Sequence, residues 1–379
     1  RQMCIRDRKY PGPVEWDAKK CKIYSIDIET TSENGFPNVD SPTEKMLVIT
    51  MQDNNTKKIT TFGVGEFTPT DNVKGLDIDY IACKDEYTLL STFLEWWEQN
   101  CPDIITGWNS DTFDLPYLYN RACKIVGSDI ANLISPIREV RWNKHRKRYM
   151  FAGVSCLDYL ALYKLFTYTQ LSSYRLDAVA EHELSEKKVE YTGTLNDLYE
   201  NNIDKFVEYN IHDVRLVKRL HDKLDFIDMA RGVCHVGHVP YEDVYFSSRY
   251  LEGAILVYLK NLGVVAPNKP PRVEKKDDDK FAGAYVQPPQ RGKHDWVFDL
   301  DITSMYPSII MSLNISPETK VGVVDNWSPE KFCDGEQTEV GFRGDTYSAD
   351  EFKTFLKENN LAISSNGVMY TKEKVGLIP

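Results

Sequence analysis

Residues 22–29 form a segment in which apolar and polar side chains alternate, with Ile26 and Ile28 set between polar neighbours. A period of two predicts a strand that turns one face toward a core. Asp27 and Glu29 then share the other face, about 7 Å apart along the strand. Two carboxylates this close repel each other unless a positive charge lies between them. The segment therefore predicts either an ordinary solvated strand face or one wall of a site for a divalent metal.

The segments that follow have the lengths and patterns of an α/β domain. Strands are predicted at 46–51, 58–62 and 103–106, and helices at 85–98, 114–126 and 203–222. Strands followed by helices around one sheet predict an α/β core over about 19–225. Residues 226–270 are predicted to be mostly helical, and 296–301 to form a further strand.

Length and composition limit the class of protein. A chain of 379 residues is too long for one ordinary core, and 42% hydrophobic with 27% charged residues is a soluble composition. No apolar run reaches the roughly 18 residues of a membrane span. The eight scattered cysteines favour reduced thiols over disulfides or zinc. A net charge of −11 argues against a protein that grips duplex DNA with its whole surface, but allows a local basic groove.

Two further motifs add carboxylates to the first pair. Asp114 stands where a helix is predicted to begin, with Asp111 as its rival, and either could be a simple helix cap. On the helix at 203–222, Tyr209 and Asp213 are four residues apart and share a face. Each motif by itself is weak, whereas all of them in this order predict a metal site.

The series DxE, NxxxFD and YxxxD resembles the DEDD exonucleases of the tyrosine subtype. This resemblance implies a 3′→5′ exonuclease that uses two Mg²⁺ or Mn²⁺ ions on single-stranded DNA ends. Asp27 would bridge the two ions, while Glu29 and Asp213 would complete the first. Asp114 would hold the second ion and Tyr209 would orient the attacking water. His212 does not occupy the position of the histidine subtype and is interpreted as structural or surface.

Several side chains near these motifs are candidates for DNA contact. Phe36 follows the first strand and could stack on an unpaired base, although a loop phenylalanine is often mere packing. The dense basic run from Arg138 to Arg148 is either a solvated face or a DNA-contacting hairpin. The DNA-contact candidates are Phe36, Asn109, Phe113, Arg141, Lys144, Arg146 and Arg148.

A second signature begins at Asp301 and reads DITSMYPSII. It resembles motif A of the family B DNA polymerases, and its surroundings are similar to the replicative polymerases of T-even-type tailed phages. The resemblance implies that Asp301 binds metal and that Tyr306 lies under the nucleotide sugar. Asp299 lies on the same predicted strand face and is treated as secondary. The residues assigned to nucleotide binding are Ile302, Ser304, Met305 and Tyr306.

The resemblance also implies an architecture. We expect an α/β chain with a ribonuclease H-like 3′→5′ exonuclease domain, built on a mixed sheet with helices, then a helical segment and an incomplete α+β polymerase palm. The expected parts are a remnant of an N-terminal domain or a non-native start at 1–18, the exonuclease domain at 19–225, the returning N-terminal segment at 226–272, and a partial palm at 273–379.

The sequence contains neither a DTDS-type motif C nor the fingers motif, so the polymerase site is expected to be incomplete while the exonuclease site is complete. One alternative is a non-catalytic half of a split polymerase that complements a separately encoded chain. Another is a stand-alone nuclease acting on RNA. Expected partners are single-stranded DNA 3′ ends, primer–template DNA, a sliding clamp and single-strand-binding protein. A dNTP would bind only with the missing half. The expected location is the cytoplasm of an infected bacterium.

Overall fold

A computed structural model describes residues 20–33, 35–186, 195–268, 284 and 286–379. The chain divides into two compact units, Arg1–Ala266 and Pro267–Pro379. The predicted remnant at 1–18 lies outside the described residues, as does most of the charged linker that opens the predicted palm. In the part of the chain that is described, no helix is both long and apolar enough to cross a membrane.

The first unit is built on a six-stranded mixed sheet of β1 Ile23–Thr30, β2 Met46–Asp53, β3 Ile59–Val64, β4 Ile78–Cys83, β5 Ile104–Thr106 and β8 Ser155–Cys156. These strands lie in the order β4-β3-β2-β1-β5-β8. The meander β1-β2-β3 is antiparallel, whereas β4, β5 and β8 join their neighbours in parallel. A separate hairpin pairs β6 Val140–Asn143 with β7 Arg148–Phe151. The predicted strands of this unit are thus confirmed, and β4 is an element that the sequence reading missed.

Helices cover both faces of this sheet. The helices of the unit are α1 Glu86–Asn100, α2 Asp114–Ile125, α3 Ser128–Ala131, α4 Tyr159–Phe166, α5 Leu176–Leu184, α6 Leu195–Asn201, α7 Ile203–Leu224, α8 Phe226–Gly237 and α9 Ser247–Asn261. On one face, α1 buries Phe93 and Trp97 in a cluster with Ile26 and Ile28. On the other, α7 buries Phe206 in a cluster with strand residues of β2 and β3. This second face is the one to which Asp27 and Glu29 belong by strand alternation.

The second unit contains a smaller core. Its elements are α10 Met305–Leu313, β9 Lys320–Val323, α11 Pro329–Cys333, β10 Glu339–Phe342, β11 Asp345–Ser348, α12 Ala349–Glu358, β12 Leu361–Ile363 and β13 Val368–Thr371. Phe352 of α12 is fully buried against Val340 and Met369. Ser348 and Glu351 begin α12 with a reciprocal capping box.

The strand predicted at 296–301 is wrong, because these residues belong to no strand of the structure. The three-stranded sheet of the second unit consists of β12, β13 and β9 and leaves this segment unpaired. Trp296 and Leu300 are 97% and 84% exposed, so the apolar pattern that suggested a buried strand has no core within this unit. A strand is stable only when a neighbour pairs with its backbone.

Candidate active site

The end of β5 creates the space in which the predicted site lies. β1 pairs with β5 only from Ile23 to Ser25, because β5 ends at Thr106. Beyond that point β1 continues to Thr30 beside β2 alone. The stretch that carries Asp27 and Glu29 therefore has one edge open to the segment that follows β5.

Asp114 occupies that open edge. It is the first residue of α2 and is only 4% exposed. The backbone N–H of Ile28, the residue between Asp27 and Glu29, lies close enough to this carboxylate to lower its pKa. The structure thus brings the predicted second motif directly against the first.

The loop before α2 is shaped by a glycine and by an aspartate that the sequence reading missed. A Cβ atom at Gly107 would lie 2.7 Å from the carbonyl oxygen of Ile26, so the loop can pass this close to β1 only with glycine there. The buried Asp158 accepts from the backbone N–H groups of Asn109 and Asp111, each at 3.2 Å. Asp158 also caps α4. An aspartate just before an apolar helix was the available signal.

The helix α7 brings the third motif to the same face of the sheet. Tyr209 and Asp213 are both buried, at 8% and 4% exposure. Asp213 is near enough to Asp114 to raise its pKa. Asn210, which the sequence reading missed, donates from Nδ2 to Asp27 Oδ2 at 2.7 Å and so ties α7 to β1. His212, next to Asp213, is half-buried.

Burial dominates the electrostatics of this cluster. Loss of solvent, with smaller contributions from the neighbouring Asp158 and Asp213 carboxylates, raises the pKa of Asp114 to about 7. Glu29 is also buried, at 9% exposure, so several carboxylates face a region that water reaches poorly. Such a group of like charges is relieved by protons or by a divalent cation. Because all the donors are carboxylate oxygens, the set fits Mg²⁺ or Mn²⁺.

The four carboxylates are spread more widely in this structure than the ligands of one compact metal shell. No three of them place oxygen atoms within 4.8 Å of one another; among the described residues, a group of three that meets this limit occurs only at His221, Asp225 and Asp228. Three of the four carboxylates would therefore share one ion only after their side chains move closer together. A pair of ions about 3.5–4 Å apart requires a more widely spread set of ligands.

An aromatic pocket adjoins the cluster. Phe36 is 86% exposed, and its ring lies 5.4 Å from that of Phe113, which in turn stacks on Tyr117. The two phenylalanines line a cavity of about 400 Å³ together with Ile28 and Glu29. A flat apolar group could therefore lie beside the Glu29 carboxylate.

The basic run forms the β6–β7 hairpin, but its cationic side chains differ in their exposure and in their ion pairs. Arg141 and Lys144 are exposed, although Arg141 pairs with Glu139. Arg146 pairs with Asp243, and its guanidinium lies 4.7 Å from the centre of the Phe246 ring.

Arg148 is the most buried of the DNA-contact candidates. It is only 7% exposed and forms an ion pair with Asp111 inside the unit. Its side chain thus anchors the hairpin to the loop before α2. Asn109, by contrast, is exposed and adopts a left-handed conformation with φ 67°.

The residues of the second signature lie at the start of α10. Asp301 is exposed, as are Ile302 and Tyr306 at 67% and 65%. Ser304 is left-handed, with φ 53°, and α10 begins at Met305. Within the second unit the structure places no other carboxylate in a metal-binding group with Asp301 among the described residues.

Comparisons with known proteins agree with both signatures. Residues 3–179 match the family model for "DNA polymerase family B, exonuclease domain". Residues 244–366 match the model for "DNA polymerase family B". The two models cover the regions of the carboxylate motifs at 27–29 and 114 and of the segment that begins at Asp301.

Individual relatives show the same similarity over most of the chain. The chain is 30% identical to the DNA-directed DNA polymerase of Escherichia phage RB69, over 98% of its own length and 42% of the relative. It is equally similar to that of Enterobacteria phage T4, with 30% identity and the same coverage. A DNA polymerase of Pyrococcus glycovorans is 26% identical over 81% of the chain. The chain thus spans about two fifths of the length of these phage relatives.

Proposed function

Because the chain belongs to the family B DNA polymerases, we propose that its first unit removes nucleotides from the 3′ ends of single-stranded DNA by metal-dependent hydrolysis. The observation that supports this most directly is the meeting of three distant segments at β1. The Asp114 carboxylate lies beside the backbone amide of Ile28, and Asn210 of α7 donates to Asp27.

Each residue of the cluster has a role in this proposal. Asp27 would contact both ions, Glu29 and Asp213 one of them, and Asp114 the other. When bound, Mg²⁺ or Mn²⁺ ions would supply a water of lowered pKa and stabilise charge at the scissile phosphate. The Tyr209 hydroxyl would orient that water, and Asn210 would hold Asp27 in place through its 2.7 Å hydrogen bond.

Release of mononucleotides from 3′-labelled single-stranded DNA is the direct test of the proposal. We expect purified protein to release them in Mg²⁺ or Mn²⁺ and to stop when a chelator is added. A 5′-labelled strand should shorten gradually rather than lose its label as a mononucleotide. Folded protein that released no mononucleotide under these conditions would contradict the proposal.

Phe36 is proposed to stack on the terminal base, since its exposed ring and Phe113 line the cavity beside Glu29. Phe36→Ala is expected to raise KM for single-stranded DNA about 5- to 150-fold, corresponding to a stacking energy of about 1–3 kcal/mol. Phe36→Tyr should retain most of the affinity. Tyr168→Ala is the matched control, because Tyr168 is also exposed but does not line this cavity. An unchanged KM in Phe36→Ala would show that the ring has no part in binding.

For the second unit, we propose that Asp301 supplies one carboxylate of a nucleotidyl-transfer site and that Tyr306 lies under the sugar of a dNTP. The observation behind this is the family B match over residues 244–366. Transfer by two metals needs a further carboxylate, which a complementing polymerase chain could provide. A split polymerase of this kind would also act with primer–template DNA, a sliding clamp and single-strand-binding protein. Co-purification with such a chain is the measurement that tests it.

A further inference from the structure

The junction between α7 and α8 holds a group of side chains separate from the carboxylate cluster. α7 ends at Leu224, and Asp225 in a left-handed conformation (φ 56°) connects it to α8. This turn brings His221 near Asp225 and Asp228, with one ligand atom of each within 4.8 Å of the others. His221 lies two turns beyond Asp213, about 12 Å along the helix axis. The group is therefore not part of the proposed exonuclease site.

His221 is buried but not satisfied. It is 9% exposed, and its Nδ1 atom has no hydrogen-bond partner. Burial, followed by the charge of Lys218, lowers the pKa of His221 to about 4. The imidazole is therefore neutral at pH 7 and keeps a nitrogen lone pair that can bind a metal.

The two carboxylates are not explained as helix caps. Asp225 stands at the N-cap position of α8, yet its side chain makes no capping hydrogen bond. It lies instead at hydrogen-bonding distance from Asp228, and its pKa is raised first by loss of solvent and then by that neighbour. Asp228 also accepts from Arg231 Nη1 at 2.5 Å. Arg231 places one fixed positive charge beside these carboxylates, and a metal ion would place a second charge between them.

A cavity of about 220 Å³ gives access to the group. His221, Asp225 and Asp228 line it, and Asn54 lies in its wall. The Nδ2 atom of Asn54 is buried and has no hydrogen-bond partner, while its Oδ1 atom accepts from Ser25. A water on a bound cation would be an acceptor for this amide. The Nδ2 donor of Asn54 and the Nδ1 atom of His221, neither of which has a hydrogen-bond partner, thus belong to residues that line the same cavity.

We propose that His221, Asp225 and Asp228 bind a transition-metal dication, with Zn²⁺ as the best fit, and that this ion fastens α7 to α8. One imidazole and two carboxylates form a mixed nitrogen and oxygen donor set, which suits Zn²⁺ or its neighbours better than Mg²⁺. Three protein ligands leave a position for water. A ligand that binds only the folded chain raises its stability, so Zn²⁺ should raise the Tm of the first unit.

The test measures Zn²⁺ binding in the full chain carrying Asp114→Asn, which weakens binding at the carboxylate cluster. Bound Zn²⁺ is counted by competition with a chromophoric chelator, and Tm is recorded with and without Zn²⁺. Adding His221→Gln or Asp225→Asn should remove one equivalent of Zn²⁺ and abolish a Tm rise of several degrees. Asp225 is exposed, so Asp225→Asn should fold even if His221→Gln does not.

Asp222→Asn is the matched control, because Asp222 lines the same cavity and pairs with Lys218 but is outside the group. It should retain the equivalent of Zn²⁺ and the Tm rise. Co²⁺ should give a visible absorption spectrum that His221→Gln removes. The proposal is overturned if His221→Gln and Asp225→Asn bind as much Zn²⁺ as the parent, or if Asp222→Asn loses it equally.

Discussion

Asp114→Asn is expected to lower the rate of mononucleotide release from single-stranded DNA by roughly 10³-fold or more, the scale seen when one member of a catalytic unit is removed. The change keeps the size of the side chain at a position that is 4% exposed, but removes the charge that would hold an ion. The measurement is single-turnover release from a 3′-labelled strand in Mg²⁺. Asp213→Asn should have an effect of the same order.

Asp129→Asn provides the matched control for this loss. Asp129 is an exposed acid close in sequence to α2, and its replacement should leave the rate within about twofold. The sequence left open whether Asp114 or Asp111 is the carboxylate of the second motif, and Asp111→Asn distinguishes between them. Asp111 pairs with Arg148, so its loss should lower stability more than it lowers the chemical rate at full saturation. Undiminished release by folded Asp114→Asn would show that the site lies elsewhere.

Arg121→Met is expected to destabilise the first unit by about 3–5 kcal/mol, because it leaves the buried Glu86 carboxylate without its charge partner. Arg121 contacts both oxygens of Glu86 at 2.7 Å, with side-chain exposures of 6% and 12%. It also donates to the carbonyl oxygens of Pro42 and Thr43. The free energy of unfolding in urea is the quantity to measure.

Two variants give this prediction its controls. Adding Glu86→Gln to Arg121→Met should recover part of the loss, because the unpaired buried charge is then gone. Arg138→Met breaks an exposed pair with Glu98 and should cost about 0–1 kcal/mol. If Arg121→Met were no more destabilising than Arg138→Met, the buried pair would not hold α2 against α1.

Local patterns in the sequence were sufficient to predict many of the strands and helices of the first unit. The alternation around Asp27 predicted β1, and the spacing of Tyr209 and Asp213 predicted their shared helix face. Contacts between residues far apart in the sequence could not be predicted in this way. Asn210 bonds to Asp27 across 183 residues, and no local pattern identifies such a pair. Arg148 appeared to be a surface cation because a charge run does not show which member turns inward.

The strand predicted at 296–301 was wrong for a related reason. An apolar run predicts burial, but it does not supply the surface that buries it. Trp296 and Leu300 remain exposed beside a sheet that is completed by β9, β12 and β13. The residue-level assignments at Asp301 and Tyr306 stay predictions for the same reason, since the second unit alone gives them no partners that define a site.

The assembly of one site from residues near 27, 114 and 213 has a consequence for synthesis of the protein. Asp213 lies 186 residues after Asp27 in the order of translation. At about 5–20 residues per second, the ribosome needs roughly 10–40 s to make that interval. During this time the nascent chain carries the earlier carboxylates without α7 to complete their surroundings. We therefore expect nuclease activity to appear only once α7 has emerged, so that a half-made chain cannot degrade DNA.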